Sequence, residues 1–138
     1  MSAYYSSLAM VTSAVLYLLA MTLHAAEWAS ARTAVTVAEP ELATVGAGAS
    51  QRPAPPAPGR PAQRPRTEAL GRAGLAITMI AAATHVAGVV LRGIAAERAP
   101  WGNMYEFITT SLAIAVIVYL VLALKFGMRW LGLPVTLL

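Results

Sequence analysis

His85, Arg92 and Glu106 are residues whose types and spacing in this sequence could do chemistry. His85 interrupts the apolar run 73–91, about 9 Å before its end at Leu91 for a helix rising roughly 1.5 Å per residue. An ionisable side chain at that depth in an apolar helix is costly, and it is a functional-site hypothesis by default. The imidazole could bind a metal ion or haem iron, or it could hydrogen-bond a neighbouring helix and only fix packing. Both interpretations stay open.

The helical face around His85 carries small and basic residues. Ala81, Gly88 and Arg92 lie four, three and seven residues from His85, so all are on its side of a helix. Small residues let a second helix or a flat ligand come close. Arg92, two turns further on, could pair with a carboxylate such as a haem propionate.

The stretch "PWGNMYEF", residues 100–107, places three aromatic residues, an Asn and a Glu between two apolar runs. Asn103 precedes Glu106 by three residues, which predicts a helix cap with the acid favoured by the helix dipole. Trp101 and Tyr105 suit the aromatic belt of a membrane surface. Ser or Thr would also cap a helix, so local structure does not explain why an acid stands here.

His24 stands one helical turn before Glu27 and near Trp28, at the end of the first apolar run. This position predicts an interfacial anchor with a local His–Glu contact. His24 lies 16 residues, or roughly 24 Å, beyond Leu8 in the first run, whereas His85 lies about 9 Å from the matching end of its own run. Two axial nitrogens on one iron are only about 4 Å apart, so the two histidines cannot share a haem.

Composition sets the class of protein that positions these residues. Of 138 residues, 58% are hydrophobic and 12% are charged, which is too little charge to cover a soluble domain. Roughly 20 apolar residues cross about 30 Å of hydrocarbon. The sequence therefore predicts an all-α membrane protein with transmembrane helices at 1–28, 72–92 and 104–126. The first run lacks the basic start of a signal peptide, which favours an uncleaved span.

The first loop, residues 29–71, holds seven of the nine prolines together with Gly, Ala, Gln and Arg. Such a composition cannot build a core, and it predicts a long disordered linker with polyproline character. A spacer is the plain interpretation, and a proline-rich ligand for another domain is the alternative. The absence of Cys excludes disulfides and zinc–thiolate sites within the chain.

Charge predicts the orientation of the helices. The first loop and the C-terminal tail carry eight Lys and Arg residues, whereas the loop at 93–103 and its helix end carry two. The eight are Arg32, Arg52, Arg60, Arg64, Arg66, Arg72, Lys125 and Arg129, and the two are Arg92 and Arg98. The positive-inside rule then puts residues 29–71 in the cytoplasm of a plasma-membrane protein, with the N-terminus and residues 93–103 outside. Because the Lys and Arg residues are concentrated on one side of a bilayer, we do not expect nucleic acid as a partner.

The last residues, 127–138, begin another apolar run in "LGLPVTLL" and end within it. Eight residues cannot span a bilayer. The tail therefore predicts a cytoplasmic turn and the truncated start of a fourth helix.

The segment "HVAGVVLRGIAAERAPWGNMYEF", residues 85–107, resembles the CcsA/CcsB (ResC-type) cytochrome c assembly family. Members have a helix ending in Leu-Arg and an outward loop close to Pro-x-[Ser/Gly]-Asn-x-Tyr-Glu. Matching residues here are Pro100, Gly102, Asn103, Tyr105 and Glu106. The first span, "LYLLAMTLHAAEWASAR", is similar to the start of actinobacterial-type CcsB. Together these segments cover less than half of the chain.

The resemblance implies a multi-span protein that carries haem b, as its transported substrate, to the outer face. With a ResB-type partner, such proteins act as cytochrome c synthases that attach haem to Cys-x-x-Cys-His of apocytochrome c. His85 would be a haem-iron ligand or pocket residue. Arg92 and Arg98 would contact the haem propionates or the partner. The other implied site residues belong to the loop and the start of the next helix: Trp101, Asn103, Tyr105 and Glu106.

Two departures from the family pattern bear on activity. The tryptophan-rich (WWD) segment that covers haem in the family is absent, as expected for an N-terminal fragment that is inactive alone. Arg98 stands where many relatives have a His, two residues before the motif's Pro.

Two other functions fit the residues without the resemblance. A small structural membrane subunit of a larger complex would use His85 for packing and "PWGNMYEF" as an anchor. A transporter fragment would use His85 and Glu106 as proton-coupled groups.

Overall fold

Helices make up the regular structure of the chain in the computed structural model, which describes residues 1–42 and 63–137. Three long helices are α1 (Ser2–Leu42), α2 (Gln63–Ala96) and α3 (Met104–Phe126). A 3₁₀ turn at Arg129–Leu131 and the five-residue α4 (Gly132–Thr136) follow. No strand occurs among residues 1–42 and 63–137.

The three long helices contain segments that are long and apolar enough to cross a membrane, at Ser2–Arg32, Arg66–Ala96 and Met104–Phe126. Their outward faces carry exposed apolar side chains, among them Val15, Leu18, Ile80, Val90, Ile117 and Val121. Such faces are unsuited to water and suited to lipid chains. The predicted all-α membrane protein with three spanning helices is confirmed at this level.

Helices α1 and α2 form a closely packed antiparallel pair. Hydrogen bonds between them join Ser6 to Gly88, Tyr17 to His85 and His24 to Thr78. The Ser6 hydroxyl reaches the carbonyl of Gly88 at 2.9 Å, because no side chain on Gly88 holds the helices apart. The small-residue face predicted around His85 is therefore covered by α1.

Helix α3 packs on α2 at one end of the bundle and meets α1 through α4 at the other. We call the end with the loop 97–103 the Glu106 end, and the end where α4 meets His24 the His24 end. Each end contains a buried ionisable side chain, Glu106 or His24.

The helix boundaries differ from those predicted for the first loop. Residues 29–42 and 63–71, predicted as parts of a disordered linker, are helical. Residues 29–39 contain neither Gly nor Pro, so nothing in them interrupts α1. The rest of the predicted linker, residues 43–62, lies outside the described residues. Helix α4 makes little more than one turn, so the fourth transmembrane helix stays a prediction.

Candidate functional site

The turn after α2 aims Arg98 toward the start of α3. Arg98 N donates to the Gly93 carbonyl and Glu97 N to that of Ile94, each at 3.3 Å. This is the pair of bonds that closes a Schellman motif. Its left-handed position is held by Glu97, with φ 52°, where glycine is the usual residue.

Replacing Glu97 by Gly should stabilise the chain by about 1 kcal/mol, because an L side chain is strained in the left-handed region. Glu97 is exposed, so no buried contact is lost. Thermal unfolding of the full chain in detergent measures the effect. Glu68→Gly, at an exposed position inside α2, is the matched control and should lower stability by about 1 kcal/mol. A lower Tm for Glu97→Gly would contradict the strain at this turn.

Asn103 caps α3 as predicted. Its Oδ1 accepts from the backbone N–H of Glu106 at 2.8 Å, and its own backbone is extended, with φ −145° and ψ 168°. The predicted cap is confirmed. In a reciprocal capping box, the Glu106 carboxylate would return to the N–H of Asn103. It turns instead toward Gly102 and two arginines.

The Glu106 carboxylate lies buried, with 1% of the residue exposed. Its Oε2 accepts from Arg98 Nη1 at 2.8 Å and from Gly102 N at 3.0 Å. Its Oε1 accepts from Arg92 Nε at 3.2 Å and from Arg98 Nη2 at 3.3 Å. Four N–H donors offset the loss of hydration that a buried carboxylate suffers. The acid at this helix start therefore orders two arginines from α2 and the loop.

Gly102 makes room for this arrangement. A Cβ built on Gly102 would overlap the guanidinium of Arg98. The guanidinium therefore lies flat across the loop backbone and meets both oxygens of Glu106. The loop is further tied to α3 by Thr110, whose hydroxyl donates to the Pro100 carbonyl at 3.2 Å.

Two guanidinium groups face one carboxylate, which leaves one net positive charge on the cluster of Arg92, Arg98 and Glu106, although the exposed Glu97 balances it over the whole Glu106 end. Their side chains are 36% exposed for Arg92 and 47% for Arg98. Within the described part of the chain, Arg92 donates only its Nε–H, so both of its terminal nitrogens are open. Its guanidinium carbon lies 5.9 Å from the Tyr105 ring centroid, within cation–π range. Trp101, in the same loop as Arg98, is 57% exposed.

This geometry suits an anionic ligand with an apolar body. A guanidinium fixed by one carboxylate still has donors for a second carboxylate or a phosphate. Tyr105 offers an exposed ring close to that charge, and Trp101 is a second exposed ring of the same segment. The site brings together five of the seven residues predicted from the sequence: Arg92, Arg98, Asn103, Tyr105 and Glu106.

His85 lies deeper and apart from this cluster, about two helical turns before Arg92, or roughly 10 Å along the axis. The residue is 6% exposed. Its Nδ1 lies 3.4 Å from the Tyr17 hydroxyl, with the two rings edge to face at 5.8 Å. A neutral imidazole has one donor and one acceptor, and the contact with Tyr17 uses one of them.

Comparison with known proteins finds no relative of this chain. No protein-family model matches it, and neither the curated proteins nor the solved structures contain a match. The chemistry of the site therefore has to be argued from its own geometry and from the sequence motif.

His24 is placed differently from the prediction. The expected proximity to Glu27 is present, with Nδ1 3.6 Å from Oε2. The predicted surface anchor is wrong, because His24 is only 1% exposed. Gly74 of α2 and Gly132 of α4 both press against its ring, where any Cβ would lie about 3 Å or less from it. Two distant glycines thus enclose a side chain that sequence position alone put at an interface.

Some functional contacts were missed by sequence reasoning. Tyr17 contacts His85, and Tyr119 lies edge to face with His24 at 6.4 Å. The sequence offered one signal for these contacts, namely a tyrosine hydroxyl within an otherwise apolar run, at Tyr17 and at Tyr119. Across the described ranges, His, Cys, Asp and Glu do not gather in groups of three or more that could hold a metal ion. A haem iron needs one or two protein ligands, so this does not bear on haem.

Proposed function

We propose that this chain is a membrane subunit of cytochrome c assembly, related to the CcsA/CcsB (ResC-type) family. It would handle haem b as a substrate at the outer face and work with a ResB-type partner. The partner complex would present haem for covalent attachment to apocytochrome c. Support comes from the segment 85–107, in which the Leu-Arg helix end and the Pro-x-Gly-Asn-x-Tyr-Glu loop stand together.

The observation that carries the proposal is the open guanidinium of Arg92 at the Glu106 end. Haem is a flat apolar ring with two carboxylates, so its capture needs a cation beside exposed rings. Arg92 is anchored through Nε to Glu106, with its terminal nitrogens free for a propionate. Tyr105 lies under the same guanidinium.

The orientation follows from the charge pattern. The positive-inside rule puts the Glu106 end outside and the His24 end in the cytoplasm of the plasma membrane. The Glu106 end then faces the compartment in which apocytochrome c receives haem. Residues 100–107 would form the floor of the haem site, with Asn103 and Glu106 fixing the start of α3.

His85 would line the lower part of the haem site. To bind iron through Nδ1 it would have to give up Tyr17, whose hydroxyl lies 3.4 Å from that nitrogen. Arg98 has a mainly positioning role, because two of its nitrogens bond Glu106. Haem bound here would supply only the vinyl groups and iron of the attachment reaction.

A second candidate is a structural membrane subunit, and one observation favours it. His85 of α2 is buried and already contacts Tyr17 of α1. That arrangement is what a packing histidine would show. In this function, the Glu106 cluster would brace the loop without binding haem.

Substitution of His85 separates the two candidates. The full chain is co-expressed with a ResB-type partner, purified, and its haem content measured by absorption. If His85 ligates haem iron, His85→Ala should lower the haem content about tenfold, since the loss of a ligand-type contact costs roughly 1.4 kcal/mol or more. Tyr17→Phe should retain haem, because it removes only the hydroxyl that competes for the imidazole.

Thr84→Ala on the same helix is the control, since the Thr84 hydroxyl bonds only the Ile80 carbonyl of its own helix. Its haem content should equal that of the unmodified chain. Unchanged haem in His85→Ala would remove the ligand role. No haem in the unmodified complex would favour the structural subunit.

A further inference from the structure

The His24 end contains a second polar cluster that the proposed function does not use. It joins His24 and Glu27 of α1, Tyr119 of α3 and Arg129 of the 3₁₀ turn. Glu27 Oε1 accepts from Arg129 Nη2 at 3.0 Å. His24 and Tyr119 are 1% and 2% exposed, so the centre of the cluster is closed to bulk solvent.

Three buried polar atoms in this cluster have no protein partner. They are His24 Nδ1, Tyr119 Oη and Arg129 Nε, and they are all such atoms among residues 1–32 and 66–137, whose side chains the structure describes. A buried polar atom left unpaired is costly, and native structures rarely tolerate it. Their concentration at one place indicates a shared partner.

The hydrogen bonds of Thr78 fix the tautomer of His24. The Thr78 hydroxyl gives its single hydrogen to the Gly74 carbonyl at 2.8 Å. It can therefore only accept from His24, whose Nε2 lies 3.4 Å away. Nε2 then carries the proton, and in the neutral ring Nδ1 is a bare acceptor.

A direct bond between His24 and Glu27 is not formed. Nδ1 lies 3.6 Å from Glu27 Oε2, which is too long for a side-chain hydrogen bond. In the neutral ring both atoms are acceptors. Arg129 already neutralises the carboxylate, so no second cation is needed there. A molecule with two hydrogens to give would satisfy both acceptors.

Gly132 has no side chain, which lets α4 come close to these atoms. A Cβ built on Gly132 would lie 2.7 Å from His24 Nδ1 and 2.7 Å from Tyr119 Oη. The two atoms are therefore no more than twice 2.7 Å apart, although they are not bonded to each other. One water molecule with bonds of about 2.8 Å spans such a separation.

We propose that this cluster holds a single buried water molecule at the junction of α1, α3 and the 3₁₀ turn. The water donates its hydrogens to His24 Nδ1 and Glu27 Oε2. It accepts from the Tyr119 hydroxyl and from Arg129 Nε–H. Buried waters typically make two to four such bonds, and this one satisfies every unpaired atom of the cluster.

The water links the C-terminal turn to the hairpin of α1 and α2. Glu27 and Arg129 have side chains 20% and 30% exposed, so they form the edge through which the water exchanges with solvent. The site depends on neither haem nor the Glu106 end.

Nitrogen NMR of the histidines tests this site directly. The full chain is labelled with ¹⁵N-histidine, placed in lipid bilayers, and magnetisation is transferred from water protons to the imidazole nitrogens. The chain has two histidines, so His85→Ala assigns the signals of His24. We expect a neutral His24 protonated at Nε2, with transfer from water to Nδ1.

Tyr119→Phe removes one donor to the water and should abolish most of that transfer. Tyr5→Phe, at an exposed residue of α1, is the matched control and should leave it unchanged. A doubly protonated His24, absent transfer in the unmodified chain, or full transfer in Tyr119→Phe would each overturn the proposal. The spectrum of the unmodified chain decides if Tyr119→Phe does not fold.

Discussion

Glu106→Gln is expected to lower the Tm of the chain by roughly 5 °C or more and to remove most of its haem. Gln keeps the shape of the side chain but lacks the negative charge that holds Arg92 and Arg98. Its amide hydrogens would also face the guanidinium donors, leaving buried donors without acceptors. The positive charges of Arg92 and Arg98 would then repel each other. The loop 97–103 would lose the bonds from Arg98 and Gly102 that join it to Glu106 of α3. Thermal unfolding and haem absorption of the purified full chain measure both effects.

Glu68→Gln makes the same chemical change at an exposed position of α2, and it should alter neither Tm nor haem content. If Glu106→Gln unfolds at the same temperature as the unmodified chain, the buried carboxylate does not organise the Glu106 end. Haem retained in full by a destabilised Glu106→Gln chain would instead separate the cluster from haem capture.

Arg92→Ala is expected to lower haem content about tenfold while the Tm changes little. A hydrogen bond to a charged group contributes about 1.5–3 kcal/mol, and roughly 1.4 kcal/mol corresponds to a tenfold change in affinity. Glu106 keeps three of its four bonds in this variant, two from Arg98 and one from Gly102. The fold therefore survives, and the loss falls on the ligand that Arg92 would bind.

The control is Arg72→Ala, which removes an exposed arginine at the other end of α2. Its haem content should match that of the unmodified chain. An equal loss in Arg72→Ala would trace the effect to overall positive charge. No loss in Arg92→Ala would contradict a propionate contact.

Features fixed by neighbouring residues could be predicted from this sequence. The three spans follow from runs of apolar residues, and the cap of α3 follows from Asn103 standing three residues before Glu106. Both depend on contacts within one or two helical turns. Arg92 was named from its place on the helical face of His85, whereas Arg98 and Tyr105 were named as site residues only by the resemblance to the CcsA/CcsB family.

Features that depend on distant residues could not be predicted. The pairing of Arg98 with Glu106 requires a left-handed residue at position 97, which a Glu does not signal. The burial of His24 requires glycines from α2 and α4, far along the chain. The contact between His85 and Tyr17 requires the register of the α1–α2 pair, which apolar periodicity leaves undetermined.

The central claim is that the Glu106 end binds haem through the two propionate carboxylates of the haem. It is tested most directly by offering the purified full chain, with its ResB-type partner, either haem b or haem b dimethyl ester. We predict that the unmodified complex takes up about tenfold more haem b than ester, and that Arg92→Ala takes up both equally. Equal uptake of haem b and its ester by the unmodified complex would contradict the claim.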